Sequence, residues 1–96
     1  MDITNTVQLK RRRNIILNTK DKFEMDGPSS VKYGTSGEFT VRPVESGSEE
    51  RFNLNVYEEG VDITSRLTLH WGGMNNQYVW FTIPNITKDI VIEASV

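Results

Sequence analysis

The chain has no cysteine, one histidine and no apolar run of membrane-spanning length. Without thiols, a disulfide framework and a thiolate metal site are both excluded, and nothing demands an oxidising compartment. With His70 as the single imidazole, any Ser-His-Asp relay would have to use it, and no Gly-x-Ser-x-Gly elbow accompanies it. P-loop, dinucleotide fingerprint and His/Asp clusters at metal spacing are missing as well. A bilayer-crossing helix needs about 20 consecutive apolar residues, and none is present. No segment of ten or more residues carries a helical apolar stripe. The expectation is an all-β domain without enzyme activity, cofactor or metal, stabilised by burial alone.

What is present is a single domain's worth of chain. Its 96 residues allow burial of about 65% of the unfolded surface, enough for one modest core. The N-terminus, MDITNTVQLKRRR, has no apolar core of signal-peptide length and places its positive charges after its weakly apolar stretch. A protein made and kept in a cytosol, or packaged from there into a particle, is expected. Residues 1–13 hold Lys10, Arg11, Arg12 and Arg13 against one acid, a formal +3, which leaves −5 for residues 14–96 of the overall −2. An acidic body repels a phosphate backbone, so nucleic-acid binding is disfavoured except through the arm. The boundary expected is a basic N-terminal arm, 1–13, and a folded domain, 14–96.

Wherever the chain has a period, it is two. Phe39 and Val41 alternate with polar neighbours in residues 38–43, and Phe52, Leu54 and Val56 do so in 51–57. The same pattern predicts strands at 66–71 (Leu67, Leu69 and Trp71 on one face), 78–83 (Val79, Phe81, Ile83) and 89–96 (Ile90, Ile92, Ala94, Val96). Earlier strands are predicted at 14–18, 22–25 and 31–33. Turn-rich stretches recur about every ten residues between them, including a Pro-Asn turn at residues 84–88. About seven antiparallel strands in two sheets follow.

Three stretches carry a resemblance. Residues 37–41 (GEFTV), 60–65 (GVDITS) and 81–94 (FTIPNITKDIVIEA) resemble the small immunoglobulin-like β-sandwich modules of tailed-phage virion proteins and bacterial surface proteins, over roughly residues 14–96. The resemblance implies an immunoglobulin-like fold and an attachment role, most closely that of an auxiliary capsid or head-decoration subunit. Its implied partners are the major capsid protein or other virion subunits, with several copies per particle, a homo-oligomer among the arrangements. The location implied is the virion. The alternative it implies is a carbohydrate-binding adhesion module of a phage fibre or bacterial surface.

Candidate binding residues fall in two groups. If Val79, Phe81 and Ile83 point inward, Tyr78 and Trp80 point outward, beside Tyr57 and His70 on other strands. Antiparallel pairing through a turn at Gly72 and Gly73 puts His70 opposite Trp80. Such a patch contacts a partner, stacks on a sugar ring, or is covered by another part of the chain, and a bulge at the glycines would reverse the faces. The ordinary reading of His70 is a solvent-face strand residue. The second group is Lys10, Arg11, Arg12 and Arg13, which neutralise DNA phosphates, pair with acids of a neighbouring subunit, or lie solvated. Ile3, Val7 and Leu9 share a face, so this segment is able to add a strand to another chain's sheet edge. The acid pairs Glu49-Glu50 and Glu58-Glu59 read as solvated turn residues, and Asn85-Ile86-Thr87 as turn chemistry rather than a glycosylation site.

Overall fold

The structure, a computed structural model, describes residues 12–44, 52–73 and 78–95. Among these described residues nine strands follow one another: β1 (Arg12–Leu17), β2 (Phe23–Asp26), β3 (Ser30–Lys32), β4 (Thr35–Pro43), β5 (Asn53–Glu58), β6 (Val61–Asp62), β7 (His70–Gly72), β8 (Tyr78–Ile86) and β9 (Ile90–Ser95). One 3-10 turn, Thr64–Arg66, separates β6 from β7. The described residues form no α-helix, and none of their helices is long and apolar enough to cross a membrane. The protein is all-β, as the period-two pattern requires.

The strands form two sheets, ordered β3-β1-β9-β5-β6 and β2-β4-β8-β7. Alternation fixes which side of each strand is buried. Phe39 and Val41 of β4, Val79, Phe81 and Ile83 of β8, Val56 of β5, and Ile90, Ile92 and Ala94 of β9 are all buried and belong to one cluster spanning both sheets. Fully burying a side chain of this size contributes about 1.5–3 kcal/mol, so the shared cluster is what holds the layers together. Phe39 and Phe81 face each other across the β4–β8 ladder with ring centroids 5.9 Å apart.

β1 divides its pairing. Arg12, Arg13 and Asn14 pair antiparallel with β3, whereas Ile15, Ile16 and Leu17 run parallel to β9. The expected all-antiparallel arrangement is therefore corrected: the first and last described strands lie side by side in the same direction. The arm boundary is affected too, because Arg12 and Arg13 open β1 rather than ending an arm. The Arg12 guanidinium donates to the Ser30 hydroxyl (2.8 Å) and carbonyl (2.9 Å). Arg13 donates from Nε to the Thr87 carbonyl (2.8 Å), with its guanidinium 5.0 Å from the centre of the Tyr33 ring.

Two local expectations also change. Residues 66–71 are not one strand, since pairing with β8 begins only at His70. Here the chain crosses from one sheet to the other. Ile63 is buried, the Thr64 hydroxyl accepts from the Val56 N–H (2.8 Å), and the 3-10 turn redirects the backbone. Leu67, Leu69 and Trp71 still pack against the core, so the apolar alternation survives through Leu67 and Leu69, which lie outside any strand, to Trp71 on β7. Pro84-Asn85 is likewise no turn. β8 continues to Ile86, with Thr35 opposite Ile86 but Gly37 opposite Ile83, so one extra residue bulges at this point. Asn85 takes φ 49°, a left-handed conformation that Asn tolerates. Pro84 lies beyond the three residues paired with β7, where a missing N–H costs no bond on that edge.

The start of β1 marks one end of the molecule, together with the β5–β6 and β8–β9 turns. Asn14 N–H donates to Asp89 (2.8 Å), and Glu59 lies 3.5 Å from Lys88. At the opposite end Phe52 packs between Phe23 and Trp71, with centroids 4.9 and 5.1 Å away.

Truncating Phe81 to Ala should lower unfolding free energy by about 3–5 kcal/mol, while the outward Thr82→Ala should change it by about 0.5 kcal/mol or less; chemical denaturation compares them. Asp62 gives a pH test. The Thr64 side chain and backbone N–H, then the Asn55 amide, hold its carboxyl below the ordinary aspartate range. A depressed carboxyl stabilises the fold above its unfolded pKa, about 3.9, and this contribution is lost as pH falls through the folded value. Asp62→Asn should therefore melt below wild type at neutral pH, with the gap closing in acid.

Candidate functional site

The outward face of the β2-β4-β8-β7 sheet carries Trp80, Tyr78 and His70, whereas the exposed Tyr33 lies beside Arg13. β7 pairs with β8 so that His70 lies opposite Trp80 and Gly72 opposite Tyr78, the register expected from the sequence. The glycines leave the faces unreversed: Val79 and Phe81 are buried, whereas Trp80 is 36% exposed and His70 is exposed. The His70 ring stacks on Trp80 with centroids 5.2 Å apart and planes 19° from parallel. Tyr78, two residues along the same strand, tilts against Trp80 at 5.6 Å. Trp80 is thus flanked by His70 across the ladder and by Tyr78 along β8, a three-ring cluster on a half-wet surface.

Gly72 is part of this construction. A Cβ at that position would lie 2.6 Å from the Tyr78 ring, so the tyrosine lies over the bare backbone of β7. The absence of a side chain lets the ring settle against the sheet beside Trp80. Gly27, after β2, has a different reason: φ is 134° and a Cβ would meet the Glu38 carbonyl at 2.7 Å.

The rest of the face is charged. Register places Thr40 between Trp80 and Asp26, and Arg42 opposite Glu24. The Arg42 guanidinium donates to Glu24 (3.0 Å) and pairs with Asp26. These hydrogen bonds, Asp26 first and Glu24 second, raise the Arg42 pKa above its ordinary value. Glu38, opposite Thr82, has no salt-bridge partner among the described residues. Three carboxylates on its strands against one guanidinium, with Lys22 just before β2, leave the face net negative, with aromatics on the β7–β8 side.

The structure brings together Tyr78, Trp80 and His70. It does not bring Tyr57 to them: Tyr57 lies on β5 in the other sheet, opposite Val91 of β9. Arg12 and Arg13 are engaged within β1 and its surroundings, away from this face. Lys10 and Arg11 lie outside the described residues, as do Glu49 and Glu50. Glu59 is paired with Lys88. No group of three or more metal-ligating side chains gathers among the described residues. Sequence reasoning did not single out Arg42, Glu24 and Asp26; their i, i+2 spacing on neighbouring strands was visible, but only the β2–β4 register puts them side by side.

A cleft of about 350 Å³ opens at the other end, lined by Glu58, Ile63, Arg66, Leu67, Pro84 and Asn85 among others.

Trp80 should dominate collisional quenching by acrylamide, since Trp71 is packed against the core. Trp80→Phe should therefore remove most of the quenchable emission, and an unchanged quenching constant would contradict the exposed placement. Comparison with family models, curated proteins and solved structures finds no match for this chain.

Proposed function

We propose that the chain is an immunoglobulin-like β-sandwich acting as a non-enzymatic structural subunit of a tailed-phage virion, an auxiliary or decoration protein present in several copies. The virion setting comes from the resemblance of residues 37–41, 60–65 and 81–94 to modules of that kind. The observation that carries the attachment role is the Trp80-His70-Tyr78 cluster on an open sheet face, bordered by the Arg42 ion-pair group. Aromatic anchors surrounded by polar, charged residues are the composition of protein interfaces, where Trp, Tyr and Arg dominate the binding free energy. A flat sheet face buries area against a partner without enclosing a substrate. The partner on this reading is another virion subunit.

A second reading has one observation in its favour. The same rings suit the apolar face of a sugar, which would make the chain a carbohydrate-binding adhesion module. His70 and Tyr78 already flank Trp80, which leaves less ring face open for stacking, so the protein interface is preferred.

Mass spectrometry of purified particles should find the chain in a copy number commensurate with the capsid lattice. Trp80→Ala should reduce its binding to capsids stripped of it about tenfold or more, equivalent to about 1.4 kcal/mol, with the melting temperature nearly unchanged. Absence from particles would overturn the virion reading. Trp80-dependent binding on a glycan array, without capsid binding, would establish the adhesion module instead.

A further inference from the structure

We infer that the aromatic, acidic face of the β2-β4-β8-β7 sheet receives the N-terminal segment of a second copy of this chain, with Lys10 and Arg11 of one copy lying against Trp80 and Glu38 of the next. The inference deepens the attachment reading by naming the partner of that face, and rests on it for the choice of face.

Charge complementarity is the first support. The strands of this face carry Glu24, Asp26 and Glu38 against Arg42, with Lys22 just before β2, and Arg42 is already held by Glu24 and Asp26. Glu38 has no ion-pair partner among the described residues and sits diagonally from Trp80, because Thr40 pairs with Trp80 and Glu38 with Thr82. Diagonal neighbours of this kind are about 7–8 Å apart, so one guanidinium or ammonium group is able to lie over the indole and reach the carboxylate. A cation over Trp is the most favourable arrangement of its type. Among the chain's cations Lys10 and Arg11 are adjacent in sequence and precede β1, whereas Arg12 and Arg13 are committed to Ser30, Thr87 and Tyr33, and Lys20, Lys22, Lys32 and Arg66 stand singly elsewhere on the surface.

Reach decides that the contact is between copies. Lys10 and Arg11 stand two and one residues before β1, which places their backbone within about 7 Å of Arg12 at full extension. Arg12 is at the end of the molecule bearing the β8–β9 turn, in the sheet that does not contain Trp80. Trp80 is near the start of β8, six residues from Ile86, or roughly 20 Å along the strand, and on the outward side of the opposite sheet. Two cations tethered so closely to Arg12 fall short of their own Trp80. A neighbour whose aromatic end abuts this end meets them directly.

Donor and receptor surfaces then differ, so the contact is heterologous and repeats head to tail. The remaining segment, residues 1–9, spans at most about 30 Å, long enough to run on beside the neighbour's sheet with Ile3, Val7 and Leu9 on one side.

The test uses the full chain in sedimentation velocity at low ionic strength. Wild type should form species larger than dimers as concentration rises, and added salt should reverse this. K10E/R11E and E38K/W80A should each remain monomeric, with self-association weakened about tenfold or more. Mixed together, they should form a closed one-to-one pair, because one retains the face and the other the segment. Circular dichroism checks folding, and E38K alone replaces the double variant should that one not fold. A monomeric wild type, association undiminished by either variant, or failure of the mixture to pair would overturn the inference. Capsid binding through Trp80 by a chain that is monomeric in solution would sink this inference and leave the attachment reading standing; head-to-tail association by a chain absent from virions would do the reverse.

Discussion

Everything in this molecule depends on the apolar layer trapped between the two sheets. Phe39, Phe81, Val56, Ile90 and Ile92 contribute from four strands, and none of them retains appreciable exposure. No charged or polar side chain is buried among the described residues, and no buried side-chain polar atom there lacks a partner. With no disulfide to constrain the unfolded chain, the layer must offset conformational entropy by burial and packing. That requirement dictates the alternation of every long strand, and alternation in turn dictates what faces outward. The aromatic cluster exists because Val79, Phe81 and Ile83 are inward: once they are buried, Tyr78, Trp80 and Thr82 have only the other side.

The long ladders and the short ones differ in what specifies them. β4 and β8, nine residues each, are pinned by inward Phe39 and Phe81 and by the bulge at Pro84-Asn85, which fixes where pairing resumes. A slip of one residue would expose the whole apolar set. β3, β6 and β7, of two or three residues, are held by local devices instead. Arg12 clasps Ser30 beside β3, Thr64 ties the segment after β6 to Val56, and Tyr78 lies over Gly72 of β7. Sheet edges made of short strands also offer little backbone to other chains.

On that face, apolar and ionic features divide by strand. The β7–β8 side offers ring surface, whereas the β2–β4 side offers carboxylates, one of them without an ion-pair partner among the described residues. A cation placed over the indole there would make cation–π and carboxylate contacts together.

The sequence by itself determined the all-β class, most strand positions, the inward set of the core and the His70–Trp80 pairing, because each follows from a two-residue period and a glycine turn, which are local. It did not determine that Arg12 and Arg13 belong to β1, that β1 runs parallel to β9, that residues 66–69 cross between sheets, or that Pro84-Asn85 is a bulge. Those outcomes depend on which strand lies alongside, and partner choice is set by long-range packing that no local pattern encodes. Tyr57 shows the same limit: its outward direction was legible, but the sheet it belongs to was not. Tertiary structure alone decided that the three rings share a face with Arg42, Glu24, Asp26 and Glu38, because only the β2–β4–β8–β7 register brings distant residues within reach of one another.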